Sequence, residues 1–251
     1  MQSFAVSQPT RRRALNPDKL DISTDVKLRK LKQRSIEREI TKRAESLESI
    51  KLAQTLEHLH HRLPTLLAPY ESKEWRAKFF HDSPVRFDDP TSLGHELITR
   101  LFAPGDLIWM GGVHDSGSTR HRANFKPAHE WLNQSRLPER FATGTFTPNS
   151  YSRGNDQVKR APFIVVECDD LIGQMPRTPE QKEKNKRLSA ALVNFLRHDL
   201  NLNLRALIDS GNKSLHAYFD RPSMSEFKSL VDLADGFRID KQTLQNSATA
   251  P

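Results

Sequence analysis

Apolar residues in the amino-terminal part of the chain recur mostly at steps of three and four, which predicts helix. The pattern begins at Ser23-Thr24-Asp25, where Ser or Thr is available as N-cap. A break into two helices around residues 44–48 is an open alternative to one continuous helix. Sustained a/d heptads are absent, so a coiled coil is not favoured. The recurring residues are Leu28, Leu31, Ile36, Ile40, Leu47, Ile50, Leu56, Leu59 and Leu63.

The middle of the chain predicts a small α/β unit over residues 91–160. Residues 71–91 are polar and punctuated by proline, so we expect a domain boundary near residue 90, after a basic arm and helical region. Within the unit we expect a helix capped by Asp89-Pro90 and running to Phe102, and then a turn over 103–106. The elements expected to follow are a strand over 107–110, a short helix over 127–132 and a strand over 141–146.

The clearest pattern lies in residues 161–251. It predicts a buried strand over 162–168, a helix over 178–198 with Thr178 as N-cap, a hairpin over 204–220 and a capped helix from Ser223 to about residue 234. Residues 237–240 alternate apolar and polar, which predicts a last strand. This β-α-β-β-α-β order is the split βαβ arrangement. We therefore expect an α+β protein with an RRM-like half, an amino-terminal α/β half and a helical extension.

Three carboxylates follow the first strand of that half, in Glu167-Cys168-Asp169-Asp170. Side chains alternate along a strand, so Glu167 and Asp169 are expected on one face and Asp170 on the other. Two neighbouring acids repel each other unless a cation lies between them. Mg²⁺ or Mn²⁺ accepts such oxygen ligands. A solvated acidic strand end is the alternative interpretation.

The expected topology gathers further polar residues at this strand end. The carboxyl end of the first strand would lie beside Ser214 and His216 on the third strand and beside Asp240 on the fourth. Glu167, Asp169 and Asp240 could then hold two cations about 3.5–4 Å apart for phosphoryl transfer. His216 and Lys213 could contact a triphosphate. Each residue taken alone has an ordinary structural explanation, and only the combination indicates a site.

Arginines in residues 112–160 are further phosphate-binding candidates. This segment contains Arg120, Arg122 and Arg153, the last within Ser152-Arg153-Gly154. A guanidinium group matches phosphate geometry, although loop arginines are more often merely solvated.

Composition limits the classes of partner that this protein is expected to bind. The 251 residues carry a formal net charge of +8, which favours a polyanionic partner, with nucleic acid before anionic membrane. Residues 1–70 supply most of this charge, with 14 Lys and Arg against 8 Asp and Glu. No apolar run is long enough to span a bilayer and no secretory signal is evident, so a cytoplasmic protein is expected. The single cysteine, Cys168, excludes an intramolecular disulfide and fits a reducing compartment.

Three short motifs at these residues resemble those of the archaeo-eukaryotic primase superfamily, most closely the primase domains of phage and mobile-element replication proteins. An apolar run with acid-x-acid is matched by residues 164–169, small-x-His by Ser214-Leu215-His216, and an apolar residue plus an acid by Ile239-Asp240. The residues around Trp109 and Ser152-Arg153 also look like those relatives. The second motif, within its hairpin, is the more specific. Glu167 replaces the commoner Asp, and an Arg-Leu-Pro-Gly-like stretch expected after the third motif does not occur before Pro251.

The resemblance implies primer synthesis or extension from nucleoside triphosphates on a single-stranded DNA template. In that case the three acids hold divalent metal, and His216 contacts the incoming nucleotide with Ser214, Lys213 and Arg153 beside it. A helicase domain or protein would be a further partner if this chain is a piece of a primase-helicase. One alternative is a catalytically inactive nucleic-acid-binding accessory module of the same fold. A nuclease or Toprim-type enzyme ranks last, because its acidic motifs come in the opposite order and His216 would have no role.

Overall fold

The computed structural model describes residues 22–84, 92–112 and 122–249. Within these ranges the helices are α1 (Ile22–Leu67), α2 (Trp75–Asp82), α3 (Leu93–Leu101), α4 (Ala128–Leu132), α5 (Pro179–His198), α6 (Met224–Leu233) and α7 (Lys241–Gln245). The strands are β1 (Leu107–Gly111), β2 (Phe125–Pro127), β3 (Arg140–Phe141), β4 (Thr145–Phe146), β5 (Val158–Arg160), β6 (Phe163–Glu167), β7 (Leu204–Asp209) and β8 (Leu215–Asp220).

The chain divides into two compact units, one ending at Leu52 and the other beginning at Ala53. In the first unit α1 is continuous, so the break considered around residues 44–48 does not occur. Every side chain from Arg29 to Leu52 is exposed. The described ranges contain no helix with the length and apolar character needed to cross a membrane. The predicted basic arm, the Asp89-Pro90 cap and the boundary near residue 90 fall outside the described residues.

The second unit has mixed α+β architecture, and its described residues form three small antiparallel sheets, ordered β2-β1-β3, β4-β5 and β6-β8-β7. The strand expected over 141–146 is instead two short strands with different partners, because β3 pairs with β1 and β4 pairs with β5. The strand over 107–110 and the short helix after Pro127 are confirmed as β1 and α4.

Local sequence signals account for the β6-to-α6 segment. Thr178 and Ser223 each form a capping box, with Gln181 and Glu226 respectively, and these fix the starts of α5 and α6. The β7–β8 hairpin turns at Gly211, whose φ of +74° suits glycine and strains other residues. The β-α-β-β-α part of the prediction is therefore confirmed.

Alternation in β6 divides the core into two layers. Ile164 and Val166 pack with α5 and α6 on one face of the sheet. Phe163 and Val165 pack on the other face with residues of α3, α4 and β1. Glu167 continues the second face at the point where β6 ends.

The prediction of a fourth strand over residues 237–240 is wrong. Arg238 has a φ of +56° and the amide of Ile239 donates to the carbonyl of Ala234, so the chain turns sharply after α6. It then enters α7, which packs against β6. At this edge of the sheet the amide of Val165 donates to Oγ of Ser247 at 2.9 Å. A helix and its flanking turns thus lie where the strand was expected.

Candidate functional site

The end of β6 meets the beginning of β8. Glu167 lies opposite His216 in the antiparallel register. The hydroxyl of Ser214 donates to Oε1 of Glu167 at 2.8 Å, and Nε2 of His216 lies 3.1 Å from the same oxygen. The structure thus brings together three of the residues singled out from the sequence, in the register that places Glu167 opposite His216.

Glu167 is held as a carboxylate. Its side chain is only 19% exposed, and this burial by itself raises its pKa. The hydrogen bond and charge of His216, the Ser214 hydroxyl and the charge of Lys213 outweigh burial and lower the pKa below its usual value. An ionised carboxylate only accepts hydrogen bonds, so Nε2 of His216 carries the donated hydrogen. The Nδ1 atom is then the ring nitrogen left for another partner.

Asp169 pairs with Lys213. The ammonium Nζ lies 2.6 Å from Oδ2 of Asp169 and 3.1 Å from the sulfur of Met175. The other oxygen, Oδ1, is buried and has no hydrogen-bond partner among the described residues. The lysine expected to contact a triphosphate therefore neutralises one of the expected metal ligands.

Asp240 lies beside β6 through its main chain and caps α7 through its side chain. Its amide donates to the carbonyl of Glu167 at 2.8 Å. Its Oδ1 accepts the amides of Gln242 and Thr243, and Oδ2 accepts the Thr243 hydroxyl at 3.0 Å. Asp240 is thus an N-cap at the expected position and not a strand residue.

Asp169 and Asp240 line one open pocket of about 360 Å³. Asp170, Asp235, His60 and Arg238 also line it, whereas Glu167 is not among the described lining residues. The thiol of Cys168 is buried at the same strand end. Burial raises its pKa well above the usual value, and the charges of Glu167, Asp170, Asp169 and Asp240 raise it further. Carboxylates from two distant segments therefore share one electrostatic environment.

Three separate segments of the chain contribute to this strand end: one carries Glu167 and Asp169, the next carries Lys213 and His216, and the last carries Asp240. Comparison with protein-family models, curated proteins and solved structures finds no match. The assignment to the primase superfamily therefore stays a prediction that depends on the motif residues.

The donor chemistry of the three acids fits a divalent cation such as Mg²⁺ or Mn²⁺. All are hard carboxylate ligands, and Oδ1 of Asp169 is a buried acceptor in need of a partner. In the described parts of the chain, however, no group of three or more His, Cys, Asp or Glu side chains is arranged to hold a metal ion. The carboxylates of Glu167, Asp169 and Asp240 are each engaged by donors of the chain itself.

The predicted arginines are not in contact with these acids. The guanidinium of Arg153 lies 4.3 Å from the ring centre of Trp109 and donates to the carbonyl of Thr249 at 3.1 Å. Burial and the charge of Arg140 lower its pKa. Arg122 is exposed and donates to Asn149 at 2.9 Å, and Arg120 lies outside the described residues. In this structure Arg153 fastens the carboxyl-terminal segment.

Two residues of α5 that the sequence analysis passed over support the site. Asn185 is fully buried, and its Nδ2 donates at 2.9 Å to the carbonyls of both Cys168 and Lys213. Lys186 is also buried, with Nζ 2.5 Å from Oδ1 of Asp209 at the end of β7. The helix therefore holds the acidic strand end and both sides of the hairpin. The signal was available, because Asn185 precedes the apolar residues of α5 at helical spacing.

Arg238 was also missed. Its NH1 lies 3.3 Å from Oδ2 of Asp170, and its NH2 lies 2.6 Å from Nε2 of His60. These contacts place one cation at the wall of the pocket that Asp169 and Asp240 line. They also fasten the last turns of α1 to the turn before α7.

Proposed function

We propose that this protein is a template-dependent nucleotidyltransferase of the primase or primase-polymerase type. In this proposal the β6-to-α7 segment is an RRM-like catalytic half in which α7 takes the place of the fourth strand. The supporting observations are the side-chain contact of Glu167 with His216 and the main-chain hydrogen bond from the amide of Asp240 to the carbonyl of Glu167. These contacts bring an imidazole and acids from distant parts of the chain to one strand end, and phosphoryl transfer uses groups of these kinds.

Each side chain has a role in this proposal. Glu167, Asp169 and Asp240 would hold Mg²⁺ or Mn²⁺, which when bound supplies Lewis-acid neutralisation of a phosphoryl group. Glu167 also fixes the ring of His216, so that Nδ1 faces the incoming nucleotide as a hydrogen-bond partner. Ser214 and Lys213 extend this contact to the phosphates, where an ammonium group stabilises developing negative charge. The template would be single-stranded DNA, and the substrates would be nucleoside triphosphates.

A primer-synthesis assay tests the proposal. The protein is incubated with single-stranded template, nucleotides and Mg²⁺ or Mn²⁺, and products are separated on a denaturing gel. We expect template-dependent product from the unaltered protein and from Glu130→Gln, an exposed carboxylate on α4 that serves as control. Asp169→Asn combined with Asp240→Asn should abolish it. Product that survives the double substitution would place the chemistry elsewhere, and template degradation without nucleotides would indicate a nuclease.

A catalytically inactive nucleic-acid-binding module is the second candidate, favoured by the surface of α1. Residues 29–52 carry eight Lys and Arg against four acids, and all of them are exposed. Such a surface suits a phosphate backbone. This candidate predicts binding of single-stranded oligonucleotide in the presence of a chelator, with affinity that falls steeply as salt rises, and no primer synthesis. Fluorescence anisotropy over a salt series measures it, and unchanged affinity at high salt would contradict it.

A further inference from the structure

The ion pair between Lys213 and Asp169 raises the question of how Asp169 could serve as a metal ligand. The ammonium lies 2.6 Å from Oδ2, and its charge also acts on Glu167. A single resident cation therefore pairs with one of the three acids that the proposed function assigns to metal, and its charge also favours the ionised form of a second. A divalent ion at the same place would meet both a positive charge and an occupied oxygen.

We propose that Lys213 is an exchangeable internal counter-ion, which holds Asp169 in the free protein and gives it up when a divalent cation arrives with a nucleoside triphosphate. The inference rests on the proposed function, because that function names the incoming ligands. Released from Asp169, the ammonium group is free to bind a phosphate oxygen. The same side chain thus neutralises the carboxylate in one state and the substrate in the other.

The anchoring of the hairpin favours a side-chain movement with a fixed backbone. The carbonyl of Lys213 accepts Nδ2 of Asn185, and the next residue, Ser214, is bonded to both Glu167 and Ser210. The long side chain of Lys213 is 25% exposed and ends beside Met175, which is itself half exposed and lines the pocket. Lysine has many rotamers, so its ammonium group can leave Asp169 without breaking these hydrogen bonds.

The surroundings of Asp169 offer space for a cation and an unpaired oxygen that could ligate it. The pocket that it lines with Asp240 measures about 360 Å³. The Oδ1 atom of Asp169 is buried and lacks a partner among the residues that the structure describes. A cation that displaces the ammonium from Oδ2 could therefore also satisfy Oδ1, which Lys213 leaves unpaired.

Titration with Mn²⁺ in the absence of nucleotide tests the exchange. Lys213→Met removes the charge and keeps an unbranched side chain, and Lys159→Met is the matched control on the exposed face of β5. Loss of a charge-assisted contact of this kind should tighten Mn²⁺ binding about ten-fold or more, as measured from the free-ion signal in electron paramagnetic resonance. The control should bind as the unaltered protein does. Unchanged or weaker binding by folded Lys213→Met would overturn the proposal.

Nucleotide binding tests the second half of the exchange, in which the ammonium group of Lys213 binds a phosphate oxygen. With Mg²⁺ present, Lys213→Met should bind a non-hydrolysable nucleoside triphosphate about ten-fold more weakly, because a phosphate contact is lost. Opposite effects on metal and nucleotide are not expected of a residue that only stabilises the hairpin. Equal or tighter nucleotide binding would contradict the proposal.

A measurement on the unaltered protein covers the case in which Lys213→Met does not fold. The Nζ resonance of ¹⁵N-labelled Lys213 should shift on addition of Mg²⁺ and nucleotide, and an unmoved resonance at saturation would overturn the exchange. The two proposals fail separately. Tighter Mn²⁺ binding by the variant, without any primer synthesis by the unaltered protein, supports the exchange and removes the primase function. Primer synthesis with equal Mn²⁺ affinities does the reverse.

Discussion

Glu167 and His216 face each other across the β6–β8 ladder, with Nε2 of the ring 3.1 Å from Oε1 of the carboxylate. The pair joins an acid at the end of one strand to an imidazole near the start of its neighbour. Because the same carboxylate also accepts the Ser214 hydroxyl, its ionised form is tied to the local fold. Stability and the proposed chemistry therefore depend on the same group.

The first prediction concerns the pH dependence of stability. Burial raises the pKa of Glu167, but His216, Ser214 and Lys213 lower it below the ordinary value of 4.5. The stabilisation from a depressed carboxyl pKa is fully present above the unfolded value and is lost as pH falls through the folded value. We expect Glu167→Gln to lower the free energy of unfolding by about 1–2 kcal/mol near neutral pH, and by less as the solution becomes acidic.

Urea denaturation of both proteins at a series of pH values measures this difference. The exposed Glu130→Gln variant controls for the loss of one negative charge. A difference between the proteins that stays constant down to about pH 3 would show that the ionised form of Glu167 is not the stabilising one.

Asp240 allows capping and charge to be separated. Its carboxylate accepts two amides of α7, so Asp240→Ala should lower stability by about 0.5–2 kcal/mol through the lost cap. Asparagine caps helices about as well as aspartate, so Asp240→Asn should unfold close to the unaltered protein. If the carboxylate holds metal, both variants should nevertheless lose about a hundred-fold or more in primer synthesis. Thermal unfolding measures the capping effect, and the gel assay measures the effect on primer synthesis. Primer synthesis by Asp240→Asn would mean that Asp240 only caps the helix.

Asn185 is the expected structural support of the site. Removal of its side chain leaves the carbonyls of Cys168 and Lys213 without their buried donor. Asn185→Ala should therefore lower the free energy of unfolding by about 2–4 kcal/mol. Asn194→Ala, at a half-buried position of the same helix, should lower it by about 0.5 kcal/mol or less. Chemical denaturation compares the two, and equal small effects would mean that the bonds of Asn185 add little.

The part of the fold that the sequence predicts well is the part specified by local signals. The start of α5 follows from Thr178 and Pro179, and the limits of the β7–β8 hairpin follow from alternation on either side of Gly211. The contact of Glu167 with His216 depends instead on the pairing of β6 with β8, which the split βαβ order predicts and no tight turn fixes.

The prediction of a last strand over residues 237–240 is wrong for a reason that the alternation of apolar and polar residues cannot reveal. Phe237 and Ile239 both enter the core that β6 shares with α5, as alternate residues of a strand would. Here a turn with Arg238 at positive φ produces the same burial. Asp240 followed by Lys-Gln-Thr is an N-cap sequence, and it was the available evidence for helix. The pairing of Lys213 with Asp169 could not be anticipated, because side-chain partners at a loop depend on tertiary distances.

The last prediction concerns the ion pair of Lys186 and Asp209, which anchors the far side of the hairpin. Burial raises the pKa of Asp209, but Lys186, the Gly211 amide and Arg76 together lower it. Lys186 is only 5% exposed, so Lys186→Met leaves a half-buried carboxylate without its main partner and should lower stability by about 2–4 kcal/mol. Lys186→Met with Asp209→Asn removes both charges and should recover part of that loss.

The stabilisation from Asp209 should also fade as pH falls through its depressed pKa, and it should do so only while Lys186 is present. A double-mutant cycle of unfolding free energies at neutral and acidic pH measures this coupling, and additive effects at both pH values would show that the pair contributes nothing beyond its separate members.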